Sequence, residues 1–195
     1  MALTYLSRQQ RQILLNYMVV FSEDLYAFSN DTQFIIRSDS TLTPKSASPT
    51  EITQFNSSPD CQPKVAGKNL YFPSEHGDFT TIREYYTVQD ISQMKNAQDI
   101  TAHVPNYIEA GVYDIVTSTA ENVLFCLTNN ATDSIYLYKY LWANEERIQA
   151  SWSKWTMNGE IYGAGFYWQF LVLVAPSRLT DHDGSYGLFN QHKGI

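Results

Sequence analysis

One pattern recurs four times along the chain and limits what it can fold into. It opens at Asp24-Leu25-Tyr26, Asn69-Leu70-Tyr71, Asn122-Val123-Leu124 and Gln169-Phe170-Leu171, at offsets of 45, 53 and 47 residues. Each copy is an apolar run followed by a polar turn. In the first three, an alternating aromatic run follows, over residues 32–37, 78–86 and 133–140. Alternation with period two puts successive side chains on opposite faces of a strand. Repeats of roughly 40–50 residues built from short strands predict β-propeller blades. A blade cannot bury both faces alone, so the copies must stack. The expectation is an all-β chain of three to four blade-like repeats of antiparallel strands, forming part of a ring.

Composition agrees with a sheet protein. Apolar residues make up 44% of the 195, and the aromatic share of 14% includes 14 Tyr and 10 Phe. Such residues suit a pleated, half-buried surface. The net charge of −7 argues against a protein that grips phosphates, which needs a basic face. The two cysteines, Cys61 and Cys126, lie 65 positions apart in no metal-binding spacing and read as buried thiols rather than a disulfide. Residues 1–11 hold no apolar core of signal-peptide length, and apolar stretches such as 170–176 are too short to cross a bilayer. Without a secretory route, the sequons at Asn30, Asn56 and Asn130 are turn residues.

Residues 12–37 read as three strands, 13–21, 25–28 and 33–37. Residues 38–66 are polar and proline-bearing, with one strand at 51–55. Strands follow at 67–72 and 79–88. The stretch 89–102 changes character: Asp90, Ser92 and Asp99 are candidate caps and Pro105 a stop, so a short helix is expected near Asp99 to His103. Strands resume at 111–117, 122–127 and 134–141, then a polar loop at 142–146. Along 147–156, Ile148, Ala150, Trp152 and Lys154 share one face and Ser151, Ser153 and Trp155 the other. The two tryptophans are therefore expected on opposite faces of one strand. From Ala175 to Ile195 the alternation fades into loop or tail. The expected organisation is a partial propeller over residues 1–166 and a divergent strand and flexible tail over 167–195.

No constellation points to catalysis, a cofactor or a metal. Asp181-His182-Asp183 is the most metal-like cluster, but adjacent loop residues rarely converge on one ion without distant ligands. Glu23-Asp24 and Glu145-Glu146 are neighbours that point apart, whereas a glycosidase needs two carboxyls facing each other. His76 lies in a hairpin turn, and His103 at an element end. Ser38-Asp39-Ser40 lacks the glycine elbow of a nucleophilic serine. Gly163 and Gly165 match only a fragment of a dinucleotide loop. Tyr136, Tyr138 and Tyr140 could stack on sugars or bases, but at strand spacing they read as packing between sheets.

Longer strings carry a resemblance. Gly67-Lys68-Asn69-Leu70-Tyr71-Phe72, the run 79–90 and the run 95–108 closely resemble the tail tubular protein B family, the nozzle subunits of short-tailed podoviruses of the Autographiviridae type. So do Phe21-Ser22-Glu23-Asp24, the run 40–46 and Ser151-Trp152-Ser153-Lys154-Trp155. The matches are collinear from about Arg11 to Gly165. The resemblance implies a virion structural protein with a β-propeller, assembled in the host cytoplasm into a hexameric tube with other nozzle subunits. Its implied partners are the tail adaptor ring and tail fibres. Genomic DNA would pass the lumen during ejection without specific binding, aided by acidic surfaces that repel phosphate.

The family's subunits are several times longer than this chain, and residues 1–10 and those after about Phe166 depart from the pattern. A truncated copy is expected, with unpaired sheet edges that favour association. The competing expectations are a tail-associated glycan hydrolase and a non-functional prophage fragment.

Overall fold

The computed structural model describes residues 3–6, 12–37, 43, 46–86, 97–143 and 146–176. Antiparallel strands joined by turns account for them, and no helix occurs among the described residues. The chain divides into two compact units, Met1–Gly111 and Val112–Ile195.

In the first unit, β1 (Leu3–Leu6) pairs with β2 (Gln12–Leu15). Next, β3 (Tyr17–Phe21), β4 (Asp24–Phe28), β5 (Gln33–Arg37) and β6 (Ser48–Thr53) form a four-stranded meander in chain order. A second meander follows: β7 (Lys64–Ala66), β8 (Asn69–His76), β9 (Phe79–Tyr86) and β10 (Gln98–Asp99). There β11 (Ile108–Glu109) pairs with the stretch of β9 that β10 leaves open. The second unit holds a third meander, β12 (Val112–Ser118), β13 (Val123–Thr128), β14 (Ser134–Ala143) and β15 (Glu146–Thr156), and a hairpin of β16 (Gly163–Tyr167) with β17 (Phe170–Val174).

The repeated sequence pattern marks the second and third strands of each meander: β4 with β5, β8 with β9, β13 with β14. The fourth copy begins at β17, which takes the second position behind β16. Its expected partner, and the tail from 177 to 195, lie outside the described residues.

Local chemistry explains the turns. Ser22 and Glu23 join β3 to β4 with φ of 50° and 70°, the left-handed pair that a two-residue hairpin needs. Gly77, at φ 63°, supplies the same freedom between β8 and β9, where an added Cβ would meet nothing within 4 Å. The backbone conformation, not crowding, is what asks for glycine there. Pro73 is tolerated in β8 because β7 ends opposite Tyr71 and leaves no ladder partner at its level.

Four expectations need correction. The run 13–21 is broken at Asn16, whose N–H donates to the Phe28 carbonyl (2.8 Å) and whose Nδ2 donates to Asn30 Oδ1 (2.6 Å). This splits the run into β2, paired backwards to β1, and β3, paired forwards to β4. The polar stretch before Gly67 holds two strands, β6 and β7, rather than one. The helix expected from Asp99 to His103 is absent. Asp99 closes β10 and its carboxylate accepts from the Thr101 N–H (2.8 Å), while the Val104 N–H donates to the Thr101 carbonyl (2.8 Å). An aspartate that satisfies the backbone two residues on makes a turn as readily as a helix cap. Finally, Trp142, Ala143 and Glu146 belong to strands β14 and β15, not to a loop.

Aromatic rings hold the first two meanders together. Phe28 meets Phe72 edge-on at 5.2 Å, Phe72 stacks on Tyr85 at 5.5 Å, and Tyr26 lies 5.7 Å from Tyr85. All are essentially inaccessible to solvent, and edge-on and offset geometries are those that ring quadrupoles favour. A polar latch sits beside them. Thr53 Oγ1 donates to Gln33 Oε1 (2.8 Å) and is also bonded to the Tyr85 hydroxyl. With the threonine proton already committed, the Tyr85 O–H is the donor of that second bond. Gln33 itself clips the chain after β6 through the Phe55 backbone, accepting from N–H at 3.2 Å and donating to the carbonyl at 2.9 Å.

In the second unit, Val116, Val123, Phe125, Leu127, Ile135 and Leu137 build one core face. Trp155 (5.6 Å) and Phe166 (5.8 Å) pack on Phe125 there. Tyr136, Tyr138 and Tyr140 occupy the opposite face and are also buried, with Trp152 on Tyr138 at 4.9 Å. The two tryptophans lie on opposite faces of β15, as the alternation requires.

Truncating the ring at the centre of the first core, Phe72→Ala, is expected to lower stability by about 3–5 kcal/mol in urea denaturation. A loss under about 1 kcal/mol, the range of surface substitutions, would contradict a buried ring. Tyr85→Phe leaves a buried acceptor unmet and is expected to cost about 1–3 kcal/mol in the same measurement.

Candidate functional site

The titratable groups that sequence reasoning singled out are placed apart and mostly serve the backbone. Asp24 holds Arg37 by two bonds, to Nε (2.8 Å) and Nη2 (2.5 Å), which raises the Arg37 pKa. The pair ties β4 to β5 across the surface. Glu23, its neighbour, is exposed in the turn. Asp31 accepts from Thr32 Oγ1 (3.1 Å), Asp133 from Ser134 Oγ (2.7 Å), and Glu75 from Thr80 Oγ1 (3.0 Å). Carboxylates occupied with turn and strand donors are positioned for structure, not for proton transfer.

His76 is exposed at the end of β8, with Nδ1 3.3 Å from the Ser74 carbonyl. His103 is exposed in the turn after β10. Among the described residues, no three His, Cys, Asp or Glu side chains are placed to hold a metal ion. Asp181-His182-Asp183, Ser38-Asp39-Ser40, Asp90, Ser92 and Glu145 lie outside the described residues. Gly163 and Gly165 belong to strand β16, opposite Val174 and Val172; neither is in a phosphate loop. Cys61 and Cys126 are buried thiols.

The tyrosine stripe is packed rather than offered to a ligand. Tyr138 and Tyr140 lie 5.5 Å apart. Cations cover the row: Lys154 sits 5.1 Å over Tyr136, and Arg147 lies 4.7 Å over Trp142. Such contacts add to packing when the ring face is partly dry.

The most buried carboxylate is Glu84, fully enclosed in β9 with Asn69 and Tyr71 around it. Asn69 Nδ2 donates to Glu84 Oε1 (2.8 Å) and to the Tyr71 hydroxyl (2.8 Å). A buried polar group must be bonded to be tolerated, and this cross-strand set pins the register of β8 on β9. Arg83, next in line, points to the other face. Its guanidinium lies 3.5 Å over Phe55, and Nη1 donates to the Ala97 carbonyl (3.0 Å). Burial lowers its pKa, against the opposing pull of Asp99 and Tyr85.

What sequence reasoning missed is the exposed apolar end of the second unit. Trp168, 85% exposed, forms the β16–β17 turn at φ 59°, flanked by Tyr167 at 68% and with Val174 half exposed. The signal was legible: no Asp, Glu, Lys or Arg falls between Glu160 and Arg178. The chemistry available across the described surface is therefore contact, not turnover.

Comparison with known proteins points the same way. The family described as bacteriophage nozzle protein matches residues 5–180. The chain is 45% identical over 145 residues to a protein of Escherichia phage T7 described as tail tubular protein gp12. That alignment takes in 74% of this chain and 18% of the relative, so the chain spans under a fifth of the relative's length.

Burial pushes the phenol of Tyr26 up to about 12, with Asp24 adding to the rise, and holds Tyr85 well above the ordinary range. A raised folded-state value favours the fold fully below the ordinary tyrosine pKa of about 10. Stability should therefore fall as pH rises from there towards about 12 for Tyr26. Urea midpoints measured across that window are expected to drop, and to drop less in Tyr26→Phe; a flat profile would contradict buried phenols.

Proposed function

The chain belongs to the bacteriophage nozzle protein family, and from that premise we propose that it is a structural component of a phage tail nozzle. In this reading the three four-stranded meanders are β-propeller blades. The observation that carries it is their serial order. Each meander is built on the same repeated pair of central strands, and the sheet of β12 to β15 has both faces buried. Residues 1–166 are the blade-bearing part. Residues 167–195 are a divergent end, whose first strand still pairs with β16.

The role is one of contact without turnover. The chain sits in the virion tail with other nozzle subunits as a homo-oligomer, beside adaptor and fibre proteins, after assembly in the host cytoplasm. DNA moves past it during ejection without specific binding. The net charge of −7 supports that passage, because like charge repels phosphate and leaves no counterions to release. No helix of the described residues is long and apolar enough to cross a membrane.

Two outcomes are expected. Peptides of this chain are found by mass spectrometry in gradient-purified particles, at a constant ratio to other tail proteins; recovery only from the soluble lysate would overturn the structural role. In fluorescence anisotropy at physiological salt, duplex DNA shows no binding in the range of about 10⁻⁴–10⁻⁶ M typical of non-specific binders. A salt-sensitive isotherm in that range would overturn the sliding account.

A further inference from the structure

We propose that the outer edge of β17 docks a second copy of this chain, strand to strand and antiparallel about Val172. In the three complete meanders the strand at this position, β4, β8 or β13, has neighbours on both sides. Among the described residues β17 is laddered to β16 alone. An open edge presents backbone donors and acceptors ready for another strand, and proteins blunt such edges with charge, proline, bulges or shortness.

The other terminal strands of this chain are blunted in those ways. Pro49 and Glu51 lie in β6, Lys64 in the three-residue β7, and β10 has two residues. A bulge and Asp114 interrupt β12, and β15 carries Glu146, Arg147 and Lys154. The edge of β3 is uncharged but lies beside β7 within its own unit. β17 reads Phe-Leu-Val-Leu-Val, with no charge, proline or bulge.

Charge and register select the occupant. The chain carries −7, yet residues 161–177 hold no ionisable acid or base of the Asp, Glu, Lys and Arg set. Two copies can therefore meet there without the like-charge repulsion that opposes contact elsewhere. The strand is also self-complementary. Pairing about Val172 sets that residue opposite its counterpart and Leu171 opposite Leu173. This register keeps Leu171 and Leu173, which pack on the core cluster, on one face in both copies; a one-residue slip would turn them outward. The joined sheet runs β16-β17-β17-β16, four strands like the other three sheets, and the twofold makes the contact closed and symmetric.

The experiment uses the full chain. Light scattering after size exclusion is expected to give a dimer mass for the native chain and a monomer mass for Val172→Lys, with unchanged far-ultraviolet circular dichroism. Val172→Cys tests the register without a charge. Directly opposed positions bring Cβ atoms within disulfide reach, so mild oxidation gives a covalent dimer. Ile148→Cys, exposed on β15, does not. A monomeric native chain would overturn the proposal, as would equal cross-linking of the two cysteine variants. Should Val172→Lys fail to fold, the cysteine pair decides alone.

Discussion

A four-stranded sheet with aromatic side chains on both faces is not stable by itself, and the ring contacts that cover those faces are what the rest of the first unit depends on. Phe28 and Tyr26 of one meander close on Phe72 and Tyr85 of the next. Each large ring removes much apolar area from water, and the edge-on geometry adds to it. The latch from Gln33 through Thr53 to Tyr85 fixes how the two sheets lie, because a polar chain satisfied at one alignment is unsatisfied at others. The polar segment after β6 is held by the same glutamine. It lies over both sheets by bonding Ser57 N–H to the Asn30 carbonyl and Ser58 N–H to the Pro73 carbonyl.

The second unit solves the same problem with other residues. Its core face is aliphatic with Phe125 at the centre, and its opposite face is a row of tyrosines backed by Trp152 and covered by basic side chains. Acids across the chain are committed to turns and ladders. Asp24 grips Arg37, Asp99 closes a turn, and Glu84 is sealed with Asn69. A protein whose carboxylates hold the backbone and whose aromatics hold the sheets is suited to bearing load in an assembly, which fits the nozzle family to which it belongs.

Much of this was legible in the sequence. Period-two alternation located β4, β5, β8, β9, β13 and β14, and it assigned Trp152 and Trp155 to opposite faces. It worked because each of those strands is buried on a defined face. It failed where local polar chemistry overrode the pattern. Asn16 breaks an apolar run by bonding across to Phe28 and Asn30, and no periodicity reports that. Asp99 resembles a helix cap, but its carboxylate closes a turn at the end of β10. The short strands β7 and β10 exist through pairing with β8 and β9, so their own residues carry little signal. The exposed hairpin at Trp168 was visible as a charge-free stretch, yet its meaning depended on knowing that β17 has one neighbour.

The account's central claim is that this chain supplies serially stacked four-stranded sheets to a tail nozzle. Cryo-electron microscopy of the intact tail tests it most directly. The account predicts density in the nozzle into which the sheets of β3 to β6, β7 to β10 and β12 to β15 fit as successive blades, with the side chains of Phe28, Phe72 and Tyr85 between the first two. A nozzle whose density holds no such sheets, with this chain absent from the particle, would contradict it.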